Sequence, residues 1–229
     1  MKKRFVFLLA GFVYFGAFAQ DENRPKQPDV PGDIMVDFGF SSLMDESQLM
    51  DLDFWPSSSF GLYYMMARKV NDYMIFNPSL GFTFERLGFK NQSNYQFDSL
   101  KVISWDSISV GDLKKNSLSI TYLDLPLELR FYPGKTKNGE GLFVGVGGVF
   151  GAKLSSKTKI KYILDGEKRR ESNSANFGLS DFRFGLVGRV GFKNINIYAK
   201  YYITDVWRNA PLDLAVPSQF TFGINLTGF

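Results

Sequence analysis

Ionisable side chains recur at every second position inside otherwise apolar segments of this chain. Glu85, Asp124, Glu128 and Asp181 supply carboxylates, and Arg130, Arg183, Arg189 and Lys200 supply cations. Positions two apart in an extended chain share a face, so these groups project from one side of their segments. Both signs are present, and an unpaired charge in a confined interior is costly. The chemistry that follows is ion pairing: a structural charge network. An ion or proton path is the alternative for charges held within a membrane.

Other chemistry has little support. The chain holds no His and no Cys, which removes Ser–His hydrolysis, His metal ligation, thiolate chemistry and disulfides together. No enzyme activity, cofactor or metal is expected. Asp45, Glu46, Asp51 and Asp53 form an acidic loop, but their spacing matches no calcium motif. Lys157, Lys159, Lys161, Lys168, Arg169 and Arg170 cluster in another predicted loop. They fit a solvated surface, or contact with the phosphates of an anionic surface glycolipid. The segment around Tyr95, Phe97, Trp105 and Ile108 is too apolar for a free loop. It is a candidate partner-contact loop, or a hairpin extending the fold.

The elements that position these groups show period-two alternation bounded by turn residues. Eight strands are expected, near 33–43, 58–68, 74–90, 117–132, 142–154, 178–192, 194–205 and 217–229. The fourth is the clearest: Leu123, Leu125, Leu127, Leu129 and Phe131 alternate with Asp124, Pro126, Glu128 and Arg130. Pro78 suggests a bulge in the third strand. Connections alternate strictly between long and short. An even strand count with that alternation predicts an eight-stranded, antiparallel, up-and-down transmembrane β-barrel, with short turns and both termini in the periplasm.

The face rich in Gly, Ser and Thr carries comparatively few charges. A solvated exterior would be denser in Lys and Glu, whereas the lumen of a narrow barrel needs small residues. The Phe- and Leu-rich face is therefore expected to meet lipid. Tyr73, Tyr132, Tyr201, Tyr202 and Trp207 are expected to form interfacial girdles, and Trp55 and Trp105 to pack in loops.

Residues 1–19 have the layout of a cleaved signal peptide: Lys2, Lys3 and Arg4, an apolar run from Phe5 to Phe15, and Ala17-Phe18-Ala19. Residues 20–32 would be a short periplasmic lead-in and 33–229 the barrel. Removing the leader takes three of the 27 basic residues and none of the 23 acidic ones. The formal +4 thereby falls to about +1, which leaves no basic face of the kind a nucleic-acid binder keeps.

Three stretches carry a family likeness. Ile120-Thr-Tyr-Leu-Asp-Leu-Pro-Leu-Glu-Leu-Arg-Phe131, Phe143-Val-Gly-Val-Gly-Gly-Val-Phe150 and Tyr201-Tyr-Ile-Thr-Asp-Val206 resemble the small outer-membrane β-barrels of Bacteroidota-type bacteria, the PorT-like group. The resemblance implies an integral outer-membrane barrel whose surroundings are the lipid bilayer. Some members serve in secretion or gliding machinery. The expected role is a non-enzymatic interaction or accessory subunit of an outer-membrane complex, in secretion or envelope machinery, with protein partners. A stand-alone structural barrel and a narrow solute pore are the alternatives.

Overall fold

The structure, a computed structural model, describes residues 32–44, 52–90, 93–97, 103–107, 112–134, 141–208 and 217–228. The expectations placed on the leader, on residues 20–31, on Asp45, Glu46 and Asp51 and on Ile108 lie outside these residues. Twelve strands are present among them: β1 (Asp33–Met44), β2 (Ser58–Met65), β3 (Arg68–Asn71), β4 (Met74–Gly88), β5 (Ser93–Phe97), β6 (Ile103–Ser107), β7 (Asp112–Phe131), β8 (Leu142–Leu164), β9 (Glu167–Ser174), β10 (Phe182–Phe192), β11 (Ile195–Tyr202) and β12 (Ser218–Thr227).

Eight of them close a ring. Antiparallel pairing runs β1–β2–β4–β7–β8–β10–β11–β12, and β12 pairs back onto β1 from Met35↔Thr227 to Met44↔Ser218. Closure leaves no free edge through the body of the barrel, which satisfies the ladder hydrogen bonds internally. β3 continues β2 along β4. The described chain ends meet at one rim, where the amide of Thr227 donates to Asn194 O and that of Gly228 to Ile34 O. Asn194 sits in the two-residue turn after β10, so this is the turn rim. The opposite rim carries the long connections.

The alternation resolves as expected on which side is polar. Phe38, Leu80, Phe82, Phe84, Val146, Phe150, Leu186, Ile197 and Ile224 are exposed on the outer wall. Asp37, Ser41, Ser79, Thr83, Glu85, Asp124, Asn196, Thr221 and Asn225 are buried in the lumen. Small lumen residues are required by close approach: a Cβ at Gly147 or Gly223 would strike the carbonyl of Leu127 or Phe38 on the neighbouring strand.

Two expectations need correction. Residues 155–177 are not a loop: β8 continues to Leu164 and turns back as β9, pairing from Lys157↔Ser174 to Leu164↔Glu167. The turn is Asp165-Gly166, with φ 53° and 80°, the two-residue geometry that Asp-Gly favours. That signal stands in the sequence, but the lysines at 157, 159 and 161 occupy positions where the lower strand has Val and Phe. Pro78 makes no bulge either, since the β4–β7 register is unchanged from Asn77↔Glu128 to Gly81↔Asp124. The register shift in this region falls between Thr121 and Tyr122, where β8 supplies one extra residue, Leu154. Residues 95–108 contain a two-stranded sheet, with Tyr95 opposite Trp105 and Phe97 opposite Ile103.

Candidate functional site

Three strands, β7, β10 and β11, aim cations into the lumen, and three, β1, β4 and β7, aim carboxylates at them. Arg183 on β10 donates from Nη1 to Glu85 Oε1 on β4 at 2.8 Å and from Nη2 to Asp124 Oδ2 on β7 at 2.6 Å. Its Nε adds a third bond to Asp124 Oδ1 at 3.2 Å. The guanidinium lies between the rings of Tyr122 and Tyr202, 3.6 and 4.2 Å from their centroids. A fork of donors matched to a carboxylate and faced by aromatic planes suits Arg, not Lys. Gln219 Nε2 donates to the second oxygen of Glu85 at 2.8 Å.

Nearer the turn rim, Arg189 reaches Glu128 Oε2 at 2.9 Å and Asp37 Oδ1 at 3.5 Å. Arg130 donates to Glu128 Oε1 at 2.6 Å and covers the Phe143 ring. Lys200 donates to Asp37 Oδ2 at 2.8 Å and to Tyr63 Oη at 3.0 Å. Tyr63 Oη and Thr83 Oγ1 are 2.7 Å apart, and Thr83 donates to Asp124. That hydroxyl pair joins the two ionic groups into one network spanning the lumen.

Among the described buried residues the lumen holds Asp37, Glu85, Asp124 and Glu128 against Arg130, Arg183, Arg189 and Lys200. The two sets balance one to one. Seven of the eight charges singled out in the sequence come together here. Asp181 does not: it precedes β10 at the loop rim, half exposed, pairing with Lys153 at 3.2 Å and Arg208 at 3.8 Å. Its place is taken by Asp37. Asp37 has the same alternation signal on β1, but no cation lies close to it in sequence to draw attention.

The network is packed from both sides. Toward the turn rim lie Met35, Tyr63 and Met65, with Ile75, Tyr132 and Phe143 beside them. Toward the loop rim lies an apolar cap that sequence reasoning missed. Leu43, Leu87, Leu118 and Ile120 project from the strands, and Phe177, Leu179, Val206 and Trp207 fold inward from the two connections flanking β10 and β11. An isolated bridge between Leu179 and Trp207 ties those connections together. Phe177 takes φ 51°, a left-handed conformation that bulky residues rarely adopt; the contacts of its buried ring hold it there. Trp207, Tyr202 and Tyr132 are therefore interior residues and not girdle aromatics. Tyr73 and Tyr201 are exposed as expected. Trp55 lies in the connection between β1 and β2, as expected, 78% exposed, and meets Phe40 and Phe54 in an aromatic cluster.

Of the 95–108 segment, the strand pairing given above is what is described, and Tyr95, Phe97 and Trp105 are placed by backbone register alone. Among the described residues no cluster of three carboxylates, His or Cys could hold a metal ion.

The packing around Arg183 gives a direct prediction. A Cβ at Gly151 on β8 would land on Asp124 Oδ1 and within 2.8 Å of Arg183 Cγ and Nε. Gly151→Ala is expected to cost about 1–3 kcal/mol by overpacking, read as a lower urea midpoint of the detergent-folded barrel. Gly188, where an added Cβ meets nothing within 4 Å, is the matched control.

A family model described as outer membrane protein beta-barrel domain matches residues 18–204. No curated protein matches the chain. Among solved structures the chain is similar to Ail, the attachment invasion locus protein of Yersinia pestis, in complex with the heparin analogue sucrose octasulfate. The two are 16% identical over 87% of this chain and 98% of that chain, with a TM-score of 0.36. It is also similar to a mutant porin of Rh. blastica, at 8% identity over 86% of this chain and 99% of that chain, with a TM-score of 0.21.

Proposed function

The chain belongs to the outer membrane protein β-barrel domain family, and from that premise we propose that it is a non-enzymatic, non-conducting barrel acting as an accessory, partner-binding subunit of an envelope or secretion complex. The observation that carries this reading is the filled lumen. Arg183 links β10 to β4 across the interior at 2.8 Å, and the cap around Trp207 covers the network toward the loop rim. An eight-stranded barrel has little more room than its own side chains need. A solute path through this one would require breaking buried ion pairs. The narrow-pore alternative is correspondingly weak, and what remains for interaction is the rim and what extends from it.

Family membership gives an integral place in the outer membrane. The orientation that fits has the turn rim and both chain ends in the periplasm and the loop rim outside, as short turns and long loops distribute in such barrels. The likeness to PorT-like small barrels supports a role in a machinery over a stand-alone structural one. The 95–108 hairpin is the proposed partner contact, because its strands carry Tyr95, Phe97, Ile103 and Trp105 at paired positions.

The test is affinity purification from native outer membranes in mild detergent, with and without residues 95–108. A stoichiometric partner lost on deletion is expected. A lone, monodisperse barrel in both preparations would overturn the accessory role in favour of the stand-alone one. Planar bilayers containing the folded chain are expected to pass no current, and discrete conductance steps would restore the pore.

A further inference from the structure

The strands of the loop rim carry a second, uncompensated set of charges on their outer face. On β8 the outward row runs Val144, Val146, Phe150 and Leu154, then Lys157, Lys159 and Lys161. On β4 it runs Phe82, Phe84, then Arg86. Between them β7 passes from Leu123 through Thr121, Ser119 and Ser117 to Lys115. Each strand changes from apolar to cationic at the same end of the barrel, and on β8 the change takes three residues, about 10 Å. This is the step a lipid-facing wall makes where acyl chains give way to headgroups.

The cations stand together. Lys161 on β8 lies directly opposite Lys115 on β7 and Arg170 on β9, so three like charges sit abreast across three strands. Arg86 lies opposite Ser119, whose other neighbour is Lys157. The ammonium of Lys159 is held below its ordinary pKa chiefly by Arg170, with partial burial, Lys161, Arg86 and Lys157 adding to the effect. Like charges directly opposite one another destabilise a sheet, and a mixed-sign surface would normally relieve them. Here, among the described residues, none of Arg86, Lys115, Lys157, Lys159, Lys161 and Arg170 has a carboxylate within ion-pair distance. Asp53 borders a cleft shared with Arg86 and Lys115. Glu171 belongs to the other face, where Tyr162 donates to it.

We propose that this shelf of six cations on β4, β7, β8 and β9 seats the phosphorylated headgroup of an anionic outer-leaflet glycolipid. Its acyl chains would lie along the apolar rows directly below. Ser119 and Ser174 lie opposite Lys157 in the same rows as neutral polar neighbours, while the hydroxyls of Ser117 and Ser172 are turned to the carbonyls of Lys159 and Thr158. A soluble polyanion would satisfy the charges but would make no use of the apolar wall that continues beneath them.

The identity of the leaflet rests on the orientation proposed above, so orientation and binding are measured separately. The chain has no Cys, and Ser174→Cys, exposed beside Lys157, is expected to react in whole cells with a membrane-impermeant maleimide. Labelling that requires outer-membrane permeabilisation would overturn the outer leaflet as the source. Binding is measured with the full chain folded in detergent and a bis-phosphorylated glucosamine-disaccharide lipid, beside its dephosphorylated form and inorganic phosphate. The variant is Lys157→Thr, Lys159→Thr and Lys161→Thr together, which keeps strand-forming residues. The charge-matched control is Arg68→Thr, Lys69→Thr and Lys193→Thr at the turn rim. Retention of the bis-phosphorylated lipid is expected to fall at least tenfold in the shelf variant and to be unchanged in the control. In the wild type it is expected to fall steeply with salt, an arm that needs no variant. Equal retention by the shelf variant, salt-independent retention, equal binding of the dephosphorylated lipid, or full competition by inorganic phosphate at matched phosphate concentration would each overturn the proposal. So would preference for a soluble sulfated dextran over the lipid.

Discussion

Arg183→Leu is expected to lower the unfolding free energy of the barrel by about 3–5 kcal/mol, the usual cost of removing one member of a buried ion pair. The loss is large because Arg183 serves two anions. Glu85 and Asp124 would both remain in the lumen, with Gln219 and Thr83 as their remaining donors. The lumen would carry four carboxylates against three cations. Arg183→Lys is expected to lose less, because it keeps the charge while giving up the forked geometry and the face-on packing between Tyr122 and Tyr202. Adding Asp124→Asn to Arg183→Leu is expected to recover part of the loss, a coupling proper to groups in contact. Urea titration of the detergent-folded barrel, followed by the mobility difference between folded and unfolded forms on a gel, reads all four proteins. Wild-type stability of Arg183→Leu would remove the network from any account of what holds the lumen together.

Trp207→Ala is the second large effect, and it should be local. Trp207 is 1% exposed and is the largest of the fully buried side chains. Deleting a buried indole costs about 3–5 kcal/mol through lost contacts and the cavity left behind. The residues packed on it include Phe177, Leu179 and Val206, which belong to connections and not to the barrel ladder. Low-stability segments open without the rest of the fold, so the cost should fall on the cap. Limited proteolysis is expected to cut the connection after β11 at least tenfold faster in Trp207→Ala, while the urea midpoint of the barrel moves little. Loss of the barrel transition together with the cap would mean that cap and barrel fold as one unit.

The two substitutions separate what the sequence shows from what it hides. Period-two alternation is a local property, and each of the eight ring strands carries it within its own residues. Strand existence, antiparallel closure, the polar side and the lumen position of seven of the eight charges were therefore legible from residues such as Leu123–Phe131 and Phe182–Phe192. Asp181 was misplaced because alternation continues across a strand end without marking it. The upper half of β8 and all of β9 were missed for a related reason: Lys157, Lys159 and Lys161 alternate with Thr158 and Ile160, but cations on an outer face look like a loop when the outer face is assumed to be apolar throughout.

Partnership across the lumen lies beyond local pattern. Arg183 and Glu85 are 98 positions apart and Lys200 and Asp37 are 163 apart; they meet only because closure of β12 onto β1 curls the sheet and its stagger brings those rows to one level. The same closure draws Phe177 and Trp207 over the lumen and sets Lys115, Lys161 and Arg170 side by side. Alternation along the chain determined which side of each strand a residue occupies, since that depends only on the residue and its neighbours. Ring closure decided which residues face each other across the interior and which charges are left without a partner outside it, since those depend on strand order and register, quantities that no single segment contains.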